Sequence, residues 1–230
     1  MVGDGQVEIK KIAIALDPSL SAVKEAKKRG CNLLVTHHPA YLGMIEYVDA
    51  NNIMFSAPNY GVALMNFHTA LDVSAEGAST LANLLDLKVK KVLCPTGKEI
   101  GFGRICAPNK GLSISLGSLE KKCVQAFGRK PRVWGKASSK LKKIAINTGS
   151  VGRLDDEPSI LQPVIDKKCD CIVCGEIKYH DAIEIAERGI CIVELGHDVS
   201  ELPLVDIIYD AILDCGFTKS DVVKINQNDY

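Results

Sequence analysis

Leu33-Leu34-Val35-Thr36-His37-His38-Pro39 is the stretch whose reading decides the fold. Four apolar or β-prone residues run into two adjacent histidines, and a proline then ends the strand. Upstream, Val7–Leu16 reads as a strand. Asp17-Pro18-Ser19 carries cap residues and a proline suited to a helix start, and Ser19–Arg29 reads as a helix closed by Gly30. Strand, helix, strand at this spacing predicts a parallel pair joined by a right-handed crossover. The two imidazoles then stand at the carboxyl end of a parallel sheet, where α/β proteins bind ligands.

Downstream, Leu42–Asn52 is expected to be helical, and Gly61–Phe67 is a third strand that runs into His68-Thr69-Ala70-Leu71-Asp72. Leu81–Leu87 reads as a short helix. Between Gly97 and Lys140 the pattern changes to β-like runs at Gly101–Cys106 and Leu112–Leu116, with a helix over Leu119–Phe127. The α/β rhythm then returns. Ile144–Ile146, Cys171–Cys174 and Cys191–Leu195 read as strands, Ser159–Lys168 and Asp181–Arg188 as helices, and a last helix over Leu204–Leu213 follows Pro203. The expected organisation is an α/β domain of residues 1–96 and 141–230, interrupted by an inserted α+β segment of residues 97–140.

The two halves of that domain resemble each other. Lys27-Lys28-Arg29-Gly30-Cys31-Asn32 followed by LLVTHH matches Lys167-Lys168-Cys169-Asp170 followed by CIVCGE. Gly61-VALMNF-His68 likewise matches Gly189-ICIVELG-His197. Each of these ends in histidine with a carboxylate four residues on, His68/Asp72 in one half and His197/Glu201 in the other. Two strand–helix–strand–helix–strand units around one cleft are the predicted architecture.

At a spacing of four, imidazole and carboxylate fall on one face of a helical turn. Histidine nitrogens with carboxylate oxygens suit zinc, manganese, iron, cobalt or nickel better than calcium. His37, His38, His68, Asp72, His197 and Glu201 exceed the needs of one tetrahedral ion, and two ions about 3.5–4 Å apart, bridged by a carboxylate, would use them well. Glu176, at the place in the second half that His37 and His38 approach in the first, is positioned to orient a ligand imidazole.

Composition excludes several classes. The chain has 230 residues with 28 basic and 28 acidic side chains, so no overall field points to nucleic acid or a membrane surface. No apolar run approaches the roughly 20 residues that span a bilayer. Met1 to Gln6 has neither a basic start nor an apolar core, so no secretory signal is expected and the chain reads as cytoplasmic. Nine scattered cysteines suit free thiols in a reducing compartment. Cys171-Ile172-Val173-Cys174 matches a C-x-x-C, but in an apolar strand of period two its sulfurs point to opposite faces, and it reads as strand filler. Lys121 to Lys143 carries nine basic residues and no acidic one. That is either a solvated surface or a field facing a phosphate-bearing substrate.

His-His-Pro after an apolar strand, His68-Thr-x-x-Asp72, Gly101-Phe-Gly-Arg104, Gly175-Glu-Ile-Lys-Tyr-His180 and Gly196-His-x-x-Ser-Glu201 together resemble the dinuclear metal-centre proteins. These are also called the NGG-one-interacting-factor-three-like family, or GTP cyclohydrolase 1 type 2 homologues. The resemblance covers nearly the whole chain. It implies a hexameric toroid with two divalent transition ions per chain, held by His37, His38, Asp72, His197 and Glu201, with Glu201 bridging and His68 close by. Where that family usually has tyrosine after Gly-His, this chain has Asp198, an additional acid.

The function expected on these grounds is a dinuclear metal-dependent hydrolase acting on a nucleotide or another anionic, phosphate-bearing small molecule. The ions would polarise a substrate oxygen and lower the pKa of bound water towards about 7. Asp198, His68 or His180 would move the proton. Arg104, through its planar fork, and Tyr179 would contact the substrate. The competing reading is a metal-binding scaffold or regulatory protein without turnover. It would show a closed coordination shell where the enzyme keeps an open position.

Overall fold

The computed structural model describes residues 1–41 and 52–226, which divide into two compact units. Unit 1 comprises Met1–Leu71 with Leu204–Tyr230, and unit 2 comprises Asp72–Pro203.

In unit 1, β1 (Ile12–Ala15), α1 (Leu20–Lys28), β2 (Leu33–Thr36), α2 (Ile53–Asn59) and β3 (Ala63–Asn66) lead to the short helix α3 (Thr69–Asp72). Ser19 caps α1, its hydroxyl accepting from the Ala22 amide at 3.1 Å. Asn52 caps α2 in the same manner, accepting from the Met54 amide. The helix expected over Leu42–Asn52 lies outside the described residues except for this cap. The strands pair in parallel in the order β1-β2-β3, as the crossover argument predicts.

Side chains of β1 to β3 alternate between two cores. Ala13, Ala15, Leu34 and Leu64 pack with Ala22, Val23, Ala26 and Ala57 of α1 and α2. Ile12, Ile14, Leu33 and Val35 pack with Val205 and Ile208 on the other face.

Unit 2 opens with a short 3-10 turn, α4 (Thr80–Leu84) and two long strands, β4 (Leu87–Pro95) and β5 (Gly101–Pro108). Next come β6 (Ile114–Ser115), α5 (Leu116–Phe127), β7 (Arg132–Trp134) and β8 (Lys140–Leu141). The unit closes with β9 (Ile144–Ser150), α6 (Leu161–Asp166), β10 (Cys171–Glu176), α7 (Tyr179–Glu187), β11 (Cys191–Glu194) and α8 (His197–Glu201). Back in unit 1, α9 (Leu204–Asp214) carries Val205 and Ile208, and β12 (Val222–Lys224) adds a fourth parallel strand beside β1. Six strands of unit 2 form one sheet in the order β4-β5-β9-β10-β11-β7. β9, β10 and β11 are parallel, whereas β5 and β7 run antiparallel to their neighbours.

The segment expected as a separate insertion therefore does not stand apart. Its strand β5 is hydrogen-bonded to β9, so residues 97–140 extend the sheet of unit 2, and the compact units divide after Leu71 and Pro203 instead. β4 itself was hidden by its composition, since three lysines break the apolar run: Lys88, Lys90 and Lys91 lie on an edge strand open to solvent.

The two halves repeat their local devices as well as their order. α1 and α6 both end in a left-handed residue, Gly30 at φ 76° and Lys168 at φ 52°. The next amides, Cys31 and Cys169, donate back to Ala26 and Val164. Asn32 then accepts the Lys10 amide on its side chain, as Asp170 accepts those of Lys142 and Lys143. These devices tie the start of β2 and of β10 to the strand beside each.

Cys171 and Val173 face one core of unit 2, and Ile172 and Cys174 the other, so the C-x-x-C sulfurs lie on opposite faces of β10. Burial pushes the thiols of Cys106 and Cys123 up from 9.0 to about 12, and that of Cys169 to about 11. As pH rises, the unfolded chain releases these protons first. Stability from the protonated thiols is thus intact below 9.0 and lost on the way to about 12. The urea midpoint should fall over that window, and should fall less in a Cys106→Ala, Cys123→Ala variant; an equally steep fall in that variant would place the loss on other groups.

Candidate functional site

Each unit gathers its own metal-competent side chains at the carboxyl ends of its parallel strands. In unit 1 the register aligns Thr36 with Asn66, so β2 and β3 end side by side. His37 and His38 leave one strand and His68 the other. The ring centroids are 5.0 Å apart for His37 and His38, 5.1 Å for His37 and His68, and 5.6 Å for His38 and His68. One nitrogen from each of the three lies within 4.8 Å of the others. Thr36 braces the turn, its hydroxyl donating to the His38 carbonyl at 2.6 Å.

The second nitrogen of two of these rings is already committed. His37 is buried, and its Nδ1 lies 3.2 Å from the Phe67 carbonyl oxygen. A carbonyl only accepts, so Nδ1 carries the hydrogen and a neutral ring keeps its lone pair on Nε2. His38 Nδ1 lies 2.7 Å from Asp17 Oδ1, with the same consequence. An imidazole held through one nitrogen by a carbonyl or carboxylate presents the other as an oriented ligand. Asp17 thus does more than start a helix; Ser19 makes the cap.

In unit 2, α8 lies across the ends of β9 and β10. The packing requires glycine at two places. A Cβ on Gly149, whose φ is +61°, would overlap Glu201 Oε1 and approach His197 Nε2 to 3.3 Å. A Cβ on Gly175 would overlap the Ser200 hydroxyl and come within 2.7 Å of the Gly149 carbonyl. Ser200 Oγ accepts from the Gly149 amide and donates to the His197 carbonyl, both at 2.8 Å, which fixes the helix on the sheet.

His197 is held from both sides. Its Nδ1 lies 2.9 Å from Glu176 Oε2, the contact through which that carboxylate holds the ring. Its Nε2 lies 3.2 Å from Oε2 of Glu201, which is 3% exposed. A neutral Nδ1–H ring would aim a lone pair at a buried carboxylate oxygen. A shared cation, proton or metal, removes that repulsion, and the pair has the donor chemistry of two ligands to one ion.

The other expected site residues are placed as follows. Asp72 closes α3 four residues after His68 and is half-buried. Asp198 is exposed, its Oδ2 3.9 Å from Arg129 Nη1. His180 is exposed in the first turn of α7, its ring 6.0 Å from that of Tyr179, which is 58% exposed. Arg104, expected to reach an anion, is instead buried. Its guanidinium donates to Ser79 Oγ and to the carbonyls of Gly101, Gly103 and Ser74, at 2.7–3.2 Å, and pins the turn before α4 to β5.

The basic stretch splits in two. Arg132 is paired in register with Glu194 at the carboxyl end of β11, and Arg129 approaches Gly196 and Asp198. Both therefore flank His197. The Arg132 guanidinium lies 4.2 Å over the Trp134 ring and 5.9 Å from that of Tyr179. Lys142 and Lys143, by contrast, precede β9 and lie at the far end of the same sheet. Sequence reasoning missed Arg129, Arg132 and Trp134, although all three lie within the acid-free run. Only the antiparallel pairing of β7 with β11 shows which end they serve.

Comparison with known proteins gives a consistent result. The family model described as Duf34/NIF3 (NGG1p interacting factor 3) matches residues 1–229. A protein of Methanocaldococcus jannaschii named GTP cyclohydrolase 1 type 2 homolog is 31% identical over 211 residues, 87% of this chain and 79% of that one. One of the same name from Clostridium perfringens is 28% identical, covering 89% and 78%. Among solved structures, reduced HcgD from Methanocaldococcus jannaschii superposes with a TM-score of 0.76 at 25% identity over 98% of this chain and 87% of that one. A Bacillus cereus protein related to NIF3 gives a TM-score of 0.83 at 18% identity, covering 100% and 90%.

The Glu176–His197 contact has a measurable consequence. Glu176→Gln should lower the affinity for cobalt or zinc by about 10–100-fold while leaving the melting temperature nearly unchanged. Metal titration followed by cobalt absorbance reads this directly. An affinity equal to the parent's would show that Glu176 does not orient the ring.

Proposed function

The chain belongs to the Duf34/NIF3 family, and from that premise we propose that it is a cytoplasmic metal-dependent hydrolase of a nucleotide or another phosphate-bearing small molecule. The observation that carries the reading is the His197–Glu201 pair, an imidazole nitrogen and a buried carboxylate oxygen at 3.2 Å, with the imidazole's other nitrogen held by Glu176. The three-imidazole cluster His37, His38 and His68 supports it independently. The printed name of the relatives, GTP cyclohydrolase 1 type 2 homolog, is in keeping with a nucleotide substrate. Nine free cysteines, eight of them buried or half-buried, suit a reducing compartment. Among the described residues, no helix is long and apolar enough to cross a membrane.

In this reading His37, His38, Asp72, His197 and Glu201 hold two divalent transition ions, drawn from zinc, iron, manganese, cobalt and nickel. Such ions supply Lewis-acid polarisation and a nucleophile at neutral pH. The remaining work falls to the chain's own side chains. Asp17, the Phe67 carbonyl and Glu176 fix which nitrogen of each imidazole carries the hydrogen. Arg129 and Arg132 provide counter-charge for an anionic substrate beside His197, the role first expected of Arg104. The exposed Tyr179 and the Arg132–Trp134 pair offer a face on which a flat base stacks. Asp198, exposed one residue after His197, is placed to accept or return a proton, and His68 and His180 are the other candidates.

Self-association into a ring of six is part of the same proposal. It rests on the family likeness and on an apolar groove in unit 1 that includes Phe67, Leu71, Ile208 and Ile212. Light scattering on the purified protein tests it, and a monomer at micromolar concentration would overturn it.

Purified protein should carry up to two transition ions per chain, and Glu201→Gln should lose much of that content. Full metal content in a His38→Ala, Glu201→Gln double variant would sink the ligand assignment. On a panel of nucleotides with metal-loaded protein, Arg132→Gln should raise KM and leave kcat nearly unchanged, the pattern of lost ground-state attraction. No turnover on any phosphate-bearing compound by fully loaded protein would favour the scaffold reading.

A further inference from the structure

Unit 2 has a second concave feature, at the end of its sheet away from His197. A cavity of about 430 Å³ is ringed by Lys90, Lys91, Lys142, Lys143 and Lys167, over a floor of Ile105, Cys106 and Ala107. That volume lies within the roughly 300–1,000 Å³ usual for small-molecule sites.

The lysines are gathered by specific devices. Successive residues of a strand normally face opposite ways. The pairing of β4 with β5 slips between Val89 and Lys91, and this bulge lets two consecutive lysines, Lys90 and Lys91, line one cavity. The turn carrying Lys142 and Lys143 is fixed by Asp170, whose Oδ2 accepts both their amides at 2.8 Å. Lys143 Nζ donates to the Lys167 carbonyl at 2.8 Å, and Lys167 Nζ to the Leu93 carbonyl, so two of the ammonium groups are anchored at the wall.

Chemically, the cavity is one-sided. The chain as a whole is neutral, yet all five charged residues that line the cavity are lysines, and the carboxylate that touches the lysine turn, Asp170, is turned to backbone amides. The Cys106 thiol in the floor is held protonated by burial and adds no negative charge. Like charges at this density repel one another, and a bound multivalent anion would replace that repulsion by charge-assisted hydrogen bonds.

We propose that this cavity is a binding site for a small anion bearing two or more linked phosphate groups. It is separate from the donors around His197. Lys143 precedes β9 and Gly149 lies near its end, six residue steps or about 20 Å away along an extended strand. The basic run of the sequence therefore does not serve one site: its arginines flank His197 and its last two lysines build this cavity.

The test is calorimetric titration of the full-length protein with inorganic pyrophosphate and tripolyphosphate, in parallel on the parent, a Lys91→Gln, Lys142→Gln variant and Glu201→Gln. Saturable binding is expected for the parent and for Glu201→Gln, with affinity lowered roughly tenfold or more in the lysine variant. The affinity should also weaken as salt rises from about 0.05 M to about 0.3 M. Circular dichroism and melting show whether the lysine variant is folded, and Lys91→Arg, Lys142→Arg should restore binding. Absence of saturable binding to the parent overturns the proposal. So does binding lost in Glu201→Gln but kept in the lysine variant, which would put the anion at the carboxyl end of the sheet. A single-stranded oligonucleotide that displaces tripolyphosphate at lower concentration would overturn the small-ligand assignment.

Discussion

The carboxylate of Glu201 is the constraint on which the arrangement of unit 2 depends. It is buried, and an ionised carboxylate removed from water costs several kcal/mol unless charge and hydrogen bonds compensate it. The surroundings are built around that requirement. Gly149 gives up its Cβ so that the carboxylate can lie against the backbone, and Gly175 gives up its own so that Ser200 can tie α8 to β9. His197 supplies the adjacent imidazole, and Glu176 holds that ring from behind. Two carboxylates on either side of one imidazole favour a positive charge between them. A transition ion is the centre that satisfies a nitrogen and an oxygen donor together. None of these residues is explained by packing alone, because apolar side chains of similar volume would fill the same space without the electrostatic demand.

Unit 1 solves a related problem with different donors. In both units the second strand of a parallel triplet carries a polar pair at its carboxyl end, His37-His38 directly after β2 and Gly175-Glu176 in the last two positions of β10, where its pairing with β9 shifts register. The correspondence fixes their division of labour. In unit 1 the pair supplies two imidazoles whose Nδ1 atoms are held by Phe67 and Asp17. In unit 2 the pair supplies a close approach and a carboxylate that supports the histidine of the next strand. Corresponding strand ends thus carry two metal-competent imidazoles in one copy and, in the other, a carboxylate that holds an imidazole. Such divergence is what a repeated βαβαβ unit permits, since its stability rests on the two cores and not on its strand ends.

Much of this was legible in the sequence because it depends on local rules. β2 falls at Leu33–Thr36 as the apolar run and Pro39 require, and α1 begins after Ser19 as its cap requires. The parallel order follows from short crossovers. What was not legible depends on pairing across long separations. β4 is lysine-rich and lies on a sheet edge, so it lacks the apolar run that reveals a buried strand. α2 contains Pro58, which argues against a helix locally because it has no amide to donate within one. Arg104 sits between a glycine and an isoleucine on β5, and nothing in that context shows that its guanidinium is enclosed by four acceptors, from Ser74, Ser79 and two glycines of β5 itself.

Charge separation within unit 2 follows from the same topology. A parallel β9-β10-β11 core has two chemically distinct ends, one where strands enter and one where they leave. The acidic and imidazole groups collect where the strands leave, and a lysine ring collects where β9 enters. The run from Lys121 to Lys143 reaches both because it spans β7, antiparallel beside β11, and then β8, next to the start of β9. A chain crossing from one end of the sheet to the other can place arginines at the first and lysines at the second without any change in composition along its length. The side-chain types match their ends. Arginine's planar fork suits a site where a substrate must be held in one orientation, and Arg132 is already stacked on Trp134. Lysine's compact ammonium suits a cavity whose ligand needs charge more than direction, and there two of the five are anchored by backbone carbonyls while the others remain at the solvent edge. The single basic stretch of sequence thus lines both ends of one sheet, separated by the length of one strand.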